Sequence, residues 1–503
     1  MRRVGRPHRQ HTPLLRALFL VLCTLGAVLA GVGWALSSPV GSSPDDDYHL
    51  PSIWCPSSYD SPQCTQVGVT QAGDPVVRVP ALLAAAACFA GDAGVSGDCQ
   101  DEVVARGTID TARVNTGDYP GGFYRVMHVF AGEDIQTSVL RMRVVNVLIA
   151  VGVFASLAVS GTRATRRIQL YTLTAVMVPL GWFFVASTNP SGWAVTGVTA
   201  FGFGLHSAFL VRGRTRLAAN LLLAGTGAVL AAGARGDAAA YIVLVAVAVC
   251  LLHWRTLRHR PRLLVVPLAV AAGCTAVALS AGQVVGAAAA EPETARSAAE
   301  VLVQLTVNFP LLVSGLFGYS SALGWLDTGM PAATVCSVMT VIGFLGLTGA
   351  RRFNVGKTLA VALVAAAVLL IPFVTLYRAR LFAGESVQPR YVLPLAPMLL
   401  LLLLTGQRVG RGIRIGRWQA LTIWILLSLA NAAALYTNLW RYVTAVDDPT
   451  LWAGVEWWWW SGWPGPITSW VIGSVGFVCF AAAMVAVSWR RPDADRGVGG
   501  RDN

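Results

Sequence analysis

The chain has 503 residues, 55% of them hydrophobic and only 13% charged, where an ordinary soluble globule carries about 25% charged. A mean hydropathy of +0.59 and recurring runs of roughly 18 or more apolar residues exclude a soluble enzyme and indicate a multi-spanning helical membrane protein. The formal net charge of +13 does not speak for nucleic acid, because the arginines fall in short clusters between apolar runs, where they set topology.

Arg2, Arg3, Arg6 and Arg9 precede an apolar run at about 14–36. This run is longer than a secretory signal core and reads as a retained first helix. A polar segment follows at 37–140. Further spans are expected at 142–160, 168–186, 193–211, 217–233, 238–253, 263–281, 332–349, 358–377, 391–405, 418–436 and 467–487, twelve in all. Alternate connections are arginine-rich: Arg163, Arg166 and Arg167; Arg212, Arg214 and Arg216; Arg255, Arg258, Arg260 and Arg262; Arg351, Arg352 and Lys357; Arg408, Arg411, Arg414 and Arg417; Arg490 and Arg491. That is the positive-inside pattern with both termini cytoplasmic. The stretch Val301–Gly318 is apolar but interrupted by Asn308-Phe309-Pro310. Counting it as a span would put the later clusters outside, so it reads as re-entrant or interfacial.

The chain thus divides into an N-terminus and first helix (1–36), an extracytoplasmic loop domain (37–140), helices 2–7 (141–281), an extracytoplasmic or re-entrant segment (282–331), helices 8–12 (332–487) and a cytoplasmic tail (488–503). Trp452, Trp457 to Trp460, Trp463 and Trp470 suit an interfacial aromatic belt. Cys55, Cys64, Cys88 and Cys99 all lie in the loop domain, and the other five cysteines fall inside spans. An even set in an exported loop implies disulfides. Four cysteines allow three pairings, of which the short loops favour Cys55–Cys64 and Cys88–Cys99.

Ionisable groups are nearly missing from the span interiors and gather at the outer ends, where a reaction at the membrane–water boundary would need them. Pro44-Asp45-Asp46-Asp47-Tyr48-His49 follows the first span. Adjacent carboxylates raise one another's pKa unless a metal or an arginine neutralises them, and one could then act as general base toward a hydroxyl. The alternative is a solvated acidic loop. The same cluster offers Asp45 and Asp47 to a Mg²⁺ or Mn²⁺ ion, although three consecutive residues reach one ion only from an irregular loop. Asp327, in Gly324-Trp325-Leu326-Asp327-Thr328, is a second candidate, or else a cap for the next helix. Arg378, Arg380 and Arg390 lie outside, against the topology rule, and their planar forks suit phosphate oxygens or lipid headgroups.

Pro44-Asp45-Asp46-Asp47-Tyr48-His49 resembles the Pro-Asp-Glu-x-x-His motif found after the first span in a large family of uncharacterised bacterial multi-spanning proteins. Asn189-Pro190-Ser191-Gly192, Gly324-Trp325-Leu326-Asp327-Thr328 and Pro389-Arg390-Tyr391-Val392-Leu393-Pro394 fit the same pattern in order. Asp46 stands where the family usually has Glu, and Tyr119-Pro120-Gly121-Gly122-Phe123-Tyr124 lacks the usual second Pro. The family is similar in layout to the GT-C superfamily of integral-membrane glycosyltransferases. The resemblance implies a GT-C-like all-α integral membrane fold of about twelve helices in a bacterial plasma membrane. It also implies a polyprenyl-phosphate sugar donor, an envelope glycan acceptor, and sometimes a divalent metal. By that resemblance Asp45 and Asp46 would be the site carboxylates, with His49 alongside; the residues themselves suggest substrate binding by Arg390 with Arg378 or Arg380, and by Asp327. Two other classes stay open: a transporter or flippase of lipid-linked saccharides, and a non-catalytic membrane scaffold.

Overall fold

A computed structural model describes residues 13–56, 60–282, 294–319, 323–351, 353–385, 388–406, 415–445, 451 and 458–489. Arg2, Arg3, Arg6, Arg9, Arg352, Arg408, Arg411, Arg414, Trp452, Trp457, Arg490 and Arg491 lie outside these residues. The chain is mostly helical. The helices used below are α1 (Pro13–Leu36), α2 (Asp46–Trp54), α3 (Gly122–His128), α4 (Ile135–Ser160), α5 (Arg163–Val176), α6 (Ser191–Leu210), α7 (Arg214–Ala234), α8 (Gly236–Leu252), α9 (Val265–Ser280), α10 (Ala298–Gly315), α11 (Ala332–Gly349), α12 (Val355–Ala379), α13 (Ala396–Leu404), α14 (Arg417–Val443) and α15 (Pro466–Trp489).

Among the described residues, eleven helices are long and apolar enough to cross a membrane. One of them is α10; the other ten coincide with expected spans. The remaining two expected spans are the shorter apolar helices Gly236–Leu252 and Leu393–Leu404. The latter is short because two 3₁₀ turns, one opened by Pro389 and one with Pro394 as its second residue, precede α13. A proline at the first position of a turn gives up no needed donor, but it cannot continue a helix from the preceding residue.

Small residues draw the helices together. A Cβ on Gly33 of α1 would lie 2.4 Å from the Cα of Gly473 in α15, and one on Gly197 of α6 would lie 2.5 Å from the carbonyl oxygen of Gly227 in α7. Only bare backbone permits such approach, which is how apolar helices associate without a hydrophobic driving force between them. α5 breaks at Met177–Gly181, where Val178 is extended ahead of Pro179, and resumes over Trp182–Val185.

One end of the bundle is arginine-rich and self-capped. Lys357 donates to the carbonyls of Leu403 (2.6 Å), Gly349 and Thr405 (both 3.0 Å), and Arg167 donates to Ile415 (3.4 Å). The other end carries the loop domain. The sequence reading assigned no strands there, yet it contains a four-stranded antiparallel sheet in the order β1 (Asp60–Ser61), β2 (Cys64–Val69), β3 (Pro75–Pro80), β4 (Thr108–Thr111). Disulfides join Cys55 to Cys64 and Cys88 to Cys99, with Cα separations of 5.7 and 6.1 Å.

α10 runs unbroken through Pro310, so the expected interruption at 308–310 is not found. Its N-terminal side is held by Arg296 on Glu385 (3.0 Å) and by Gln304, which accepts from the Ala383 amide (3.0 Å). Its C-terminal Gly315 sits against Pro389. α10 and its approach are thus held by Ala383, Glu385 and Pro389.

Candidate active site

The segment between α1 and α2 is buried almost throughout, so its carbonyls require protein donors. Arg143 of α4 supplies Ala35 (3.1 Å), Ser38 (2.6 Å) and Pro39 (2.8 Å) and reaches the Ser42 hydroxyl (3.3 Å). Asn438 supplies Ser37 (3.1 Å), Gln100 supplies Val40 (2.6 Å), Trp325 supplies Gly41 (2.8 Å) and Trp460 supplies Leu36 (2.8 Å). Asn189 supplies Pro44 (2.8 Å). Donors from distant parts of the chain thereby fix the backbone that presents the aspartates.

The three aspartates face three ways. Asp45 is left-handed (φ 61°), a conformation that Asp tolerates better than most residues. Its carboxylate pairs with Arg390, whose other terminal nitrogen donates to Pro44 O (3.1 Å). Asp46 is wholly buried and accepts from the Ser43 amide (3.1 Å) and the Thr188 hydroxyl (3.3 Å). Asp47 pairs with Arg113 (2.6 Å). The two carboxylates suggested for a cation, Asp45 and Asp47, thus each face an arginine, and among the described residues no three His, Cys, Asp or Glu side chains gather to hold a metal. The donor set does not fit a divalent ion.

His49 is buried, with Nδ1 2.9 Å from the Tyr124 hydroxyl and Nε2 without a hydrogen-bond partner among the described residues. Around it stand Tyr48, Tyr119 and Tyr124, with Tyr119 5.3 Å from the imidazole. Tyr48 donates to Asn115 (3.1 Å) and Asp118 (3.3 Å).

A second buried guanidinium completes the site. Arg235, between α7 and α8, forks onto Asp237 (2.9 and 2.8 Å) and reaches the Ser191 hydroxyl (3.3 Å). It lies between the rings of Tyr119 (5.5 Å) and Tyr391 (5.3 Å), and Arg390 stacks on the same Tyr391 (5.2 Å) and on Phe184 (5.6 Å). The sequence reading passed over Arg235 as part of a tight connection. Its signal was the one that marked Arg390: an arginine where the topology rule does not expect one.

Electrostatics separate the carboxylates. Burial, the largest single influence, raises the pKa of Asp45, but its neighbours together, Arg390 foremost, outweigh it and hold the group below its ordinary value. Burial pushes Asp46 up to about 7 against the pull of Arg143. Burial also drives His49 down to about 3, which keeps its ring neutral. Asp45 is ionised and partly open, with its side chain 34% exposed.

The remaining candidates lie elsewhere. Asp327 pairs with buried Arg441 (3.2 Å) and accepts from the Gly91 amide (3.2 Å), so it locks the disulfide loop of Cys88 onto α14. It does not cap α11, whose N-cap is Pro331. Arg378 is exposed near the end of α12. Arg380 terminates α12 in the left-handed region (φ 59°) and stacks on Tyr377 (5.2 Å). The guanidinium that joins Arg390 is Arg235, not Arg378 or Arg380.

A family model described as predicted membrane protein (DUF2142) matches residues 28–399. The chain belongs to that family. The matched span includes Asp45, His49, Tyr119, Arg235 and Arg390, the groups that converge here, together with Tyr391. No curated protein and no solved structure matches the chain.

Proposed function

We propose that this protein is a GT-C-type membrane glycosyltransferase. It would transfer a sugar from a polyprenyl-phosphate donor to a cell-envelope glycan on the extracytoplasmic side of a bacterial plasma membrane. One observation carries the reading: an ionised, partly open carboxylate (Asp45) touches a buried arginine (Arg390) that shares a tyrosine ring with a second buried arginine (Arg235).

In this reading the donor phosphate takes the Arg390 guanidinium from Asp45, since a bidentate fork suits phosphate as well as carboxylate. Arg235 adds positive charge beside it. Asp45, released, accepts the proton of the acceptor hydroxyl. The acceptor oxygen attacks the anomeric carbon, the bond from that carbon to the phosphate oxygen breaks, and the phosphate leaves as an anion. Preplaced positive charge stabilises that leaving group without an acid. A single displacement inverts the anomeric centre. Asp46 and His49 act as positioning groups, because both are closed off from solvent.

The test is sugar transfer from a defined polyprenyl-phosphate sugar by the purified full chain in nanodiscs. Asp45→Asn is expected to lower turnover by about 10²–10⁴, with Arg390→Gln and Arg235→Gln also impaired. Full turnover in both Asp45→Asn and Arg390→Gln would overturn the assignment. Movement of a lipid-linked saccharide across liposomes without any transfer would favour the transporter instead.

A further inference from the structure

At the arginine-rich end of the bundle, away from Asp45, the helices α1, α4, α5 and α15 leave a cavity of about 310 Å³ between them. That is at the small end of the range for ligand pockets. Its walls are mainly apolar, with Phe19, Val151, Phe154, Leu173 and Phe480 among them. Leu20 and Val159 also line it and face the outside of the bundle, so the cavity opens sideways at the level of apolar helix surface.

Charge is confined to one edge. Arg163 and Arg166, in the first turn of α5, line the cavity, and among the described residues no carboxylate does. Arg166 is fixed in place by donation from its Nη2 to Val159 O (3.5 Å) and from its Nε to Ala158 O (2.5 Å) at the end of α4. Gln169, deeper in the wall, is tied to Phe154 O (2.7 Å). A helix N-terminus favours negative charge, and here two guanidiniums reinforce it. An apolar slot open to the side, with positive charge at one edge, complements an amphiphile whose charge is a phosphate.

We infer that this cavity holds one acyl chain of an anionic bilayer phospholipid, with the lipid phosphate over Arg163 and Arg166. The occupant is separate from the sugar donor, whose phosphate the Asp45–Arg390 site would engage at the opposite end, so the inference does not depend on the proposed activity.

The test uses the full chain in phosphatidylcholine nanodiscs containing a trace of phosphatidylglycerol with a photoreactive acyl chain, followed by mapping of the labelled peptides. Label is expected on 150–159, 169–177 and 483–487 in preference to the lipid-facing surfaces of α9 and α12. Unlabelled phosphatidylglycerol should compete better than phosphatidylcholine or a polyprenyl phosphate. Arg163→Gln, at an exposed side chain, should weaken that competition about five-fold, the worth of one basic residue near an anionic lipid. Ala155→Phe, which fills the slot and leaves the arginines, should remove the label from these peptides. Uniform labelling, equal competition by phosphatidylcholine, preference for the polyprenyl phosphate, or label undiminished in Ala155→Phe would each overturn the proposal.

Discussion

Arg390 and Asp45 lie 345 residues apart in the chain and meet as an ion pair in which the arginine is buried and the carboxylate partly open. The pair makes Asp45 ionised at rest yet occupied, so its availability as a base depends on what displaces it from the guanidinium. The pH dependence follows in sign. Asp45 has a depressed pKa, so its ionised form persists to more acid pH than a free aspartate near 3.9. The acid limb of kcat/KM for sugar transfer should therefore lie below the usual carboxylate range in the wild type. In Arg390→Gln, where burial is no longer opposed by this charge, the limb should move upward as the overall rate falls. An acid limb that does not move on removing Arg390 would separate it from Asp45.

Arg143 should be among the least replaceable residues of the fold. It is fully buried, satisfies three carbonyls, and stands beside buried Asp46. Arg143→Met would leave an uncompensated carboxylate and orphaned carbonyls, at a cost of about 3–5 kcal/mol. Adding Asp46→Asn removes the stranded charge and should recover part of that loss. Thermal unfolding of the single and double variants in nanodiscs measures this; identical midpoints would show that Arg143 acts through the carbonyls alone.

Asp46 and His49 should tilt the stability profile in opposite directions. Asp46 has a folded pKa raised from 3.8 to about 7, so its contribution is full below about pH 4 and is lost as pH rises through 7. His49 has a folded pKa lowered from 6.5 to about 3, so its contribution is full above pH 6.5 and is lost as pH falls toward 3. On a melting-temperature curve taken from pH 4 to pH 8, Asp46→Asn is expected to remove a fall between about pH 4 and 7, and His49→Gln a rise between about pH 4 and 6.5. Both variants changing the slope of that curve in the same sense would contradict the buried environments described.

The disulfide between Cys55 and Cys64 closes a loop of sequence separation 9 and ties the end of α2 to β2. Opening so short a loop should cost about 2–3 kcal/mol, felt locally in the sheet. Cys55→Ser with Cys64→Ser should speed protease cleavage within 60–80 many-fold while the helical bundle keeps its size-exclusion profile. Unchanged cleavage would mean that the sheet is held by its strands alone.

The spans were legible because an apolar run of membrane length has few other readings, and Arg390 because it breaks the topology rule in company with Pro389 and Tyr391. The strands were not. β2, Cys64-Thr-Gln-Val-Gly-Val, is exposed beyond its first residue and shifts register between Gln66 and Gly68, so no clean alternation marks it. Nor was the fate of Asp46 readable, because its burial depends on Arg143 and Thr188, which neighbour it only after folding. Asp327 misled for a related reason: a lone carboxylate before a helix suggests a cap, and only the fold brings Arg441 to it.

The closure of α1 on α15 has a consequence for biosynthesis. Gly26 and Gly33 of α1 find their counterparts in α15, and the carbonyls of Leu36 and Ser37 take their donors from Trp460 and Asn438. During translation the segment that bears Asp45 can be held early by Arg143 and Asn189, but its donors Asn438 and Trp460 arrive only once α14 and the residues after it have been made. A nascent chain halted before α14 would carry every aspartate of the motif and still lack the clasp that aims them.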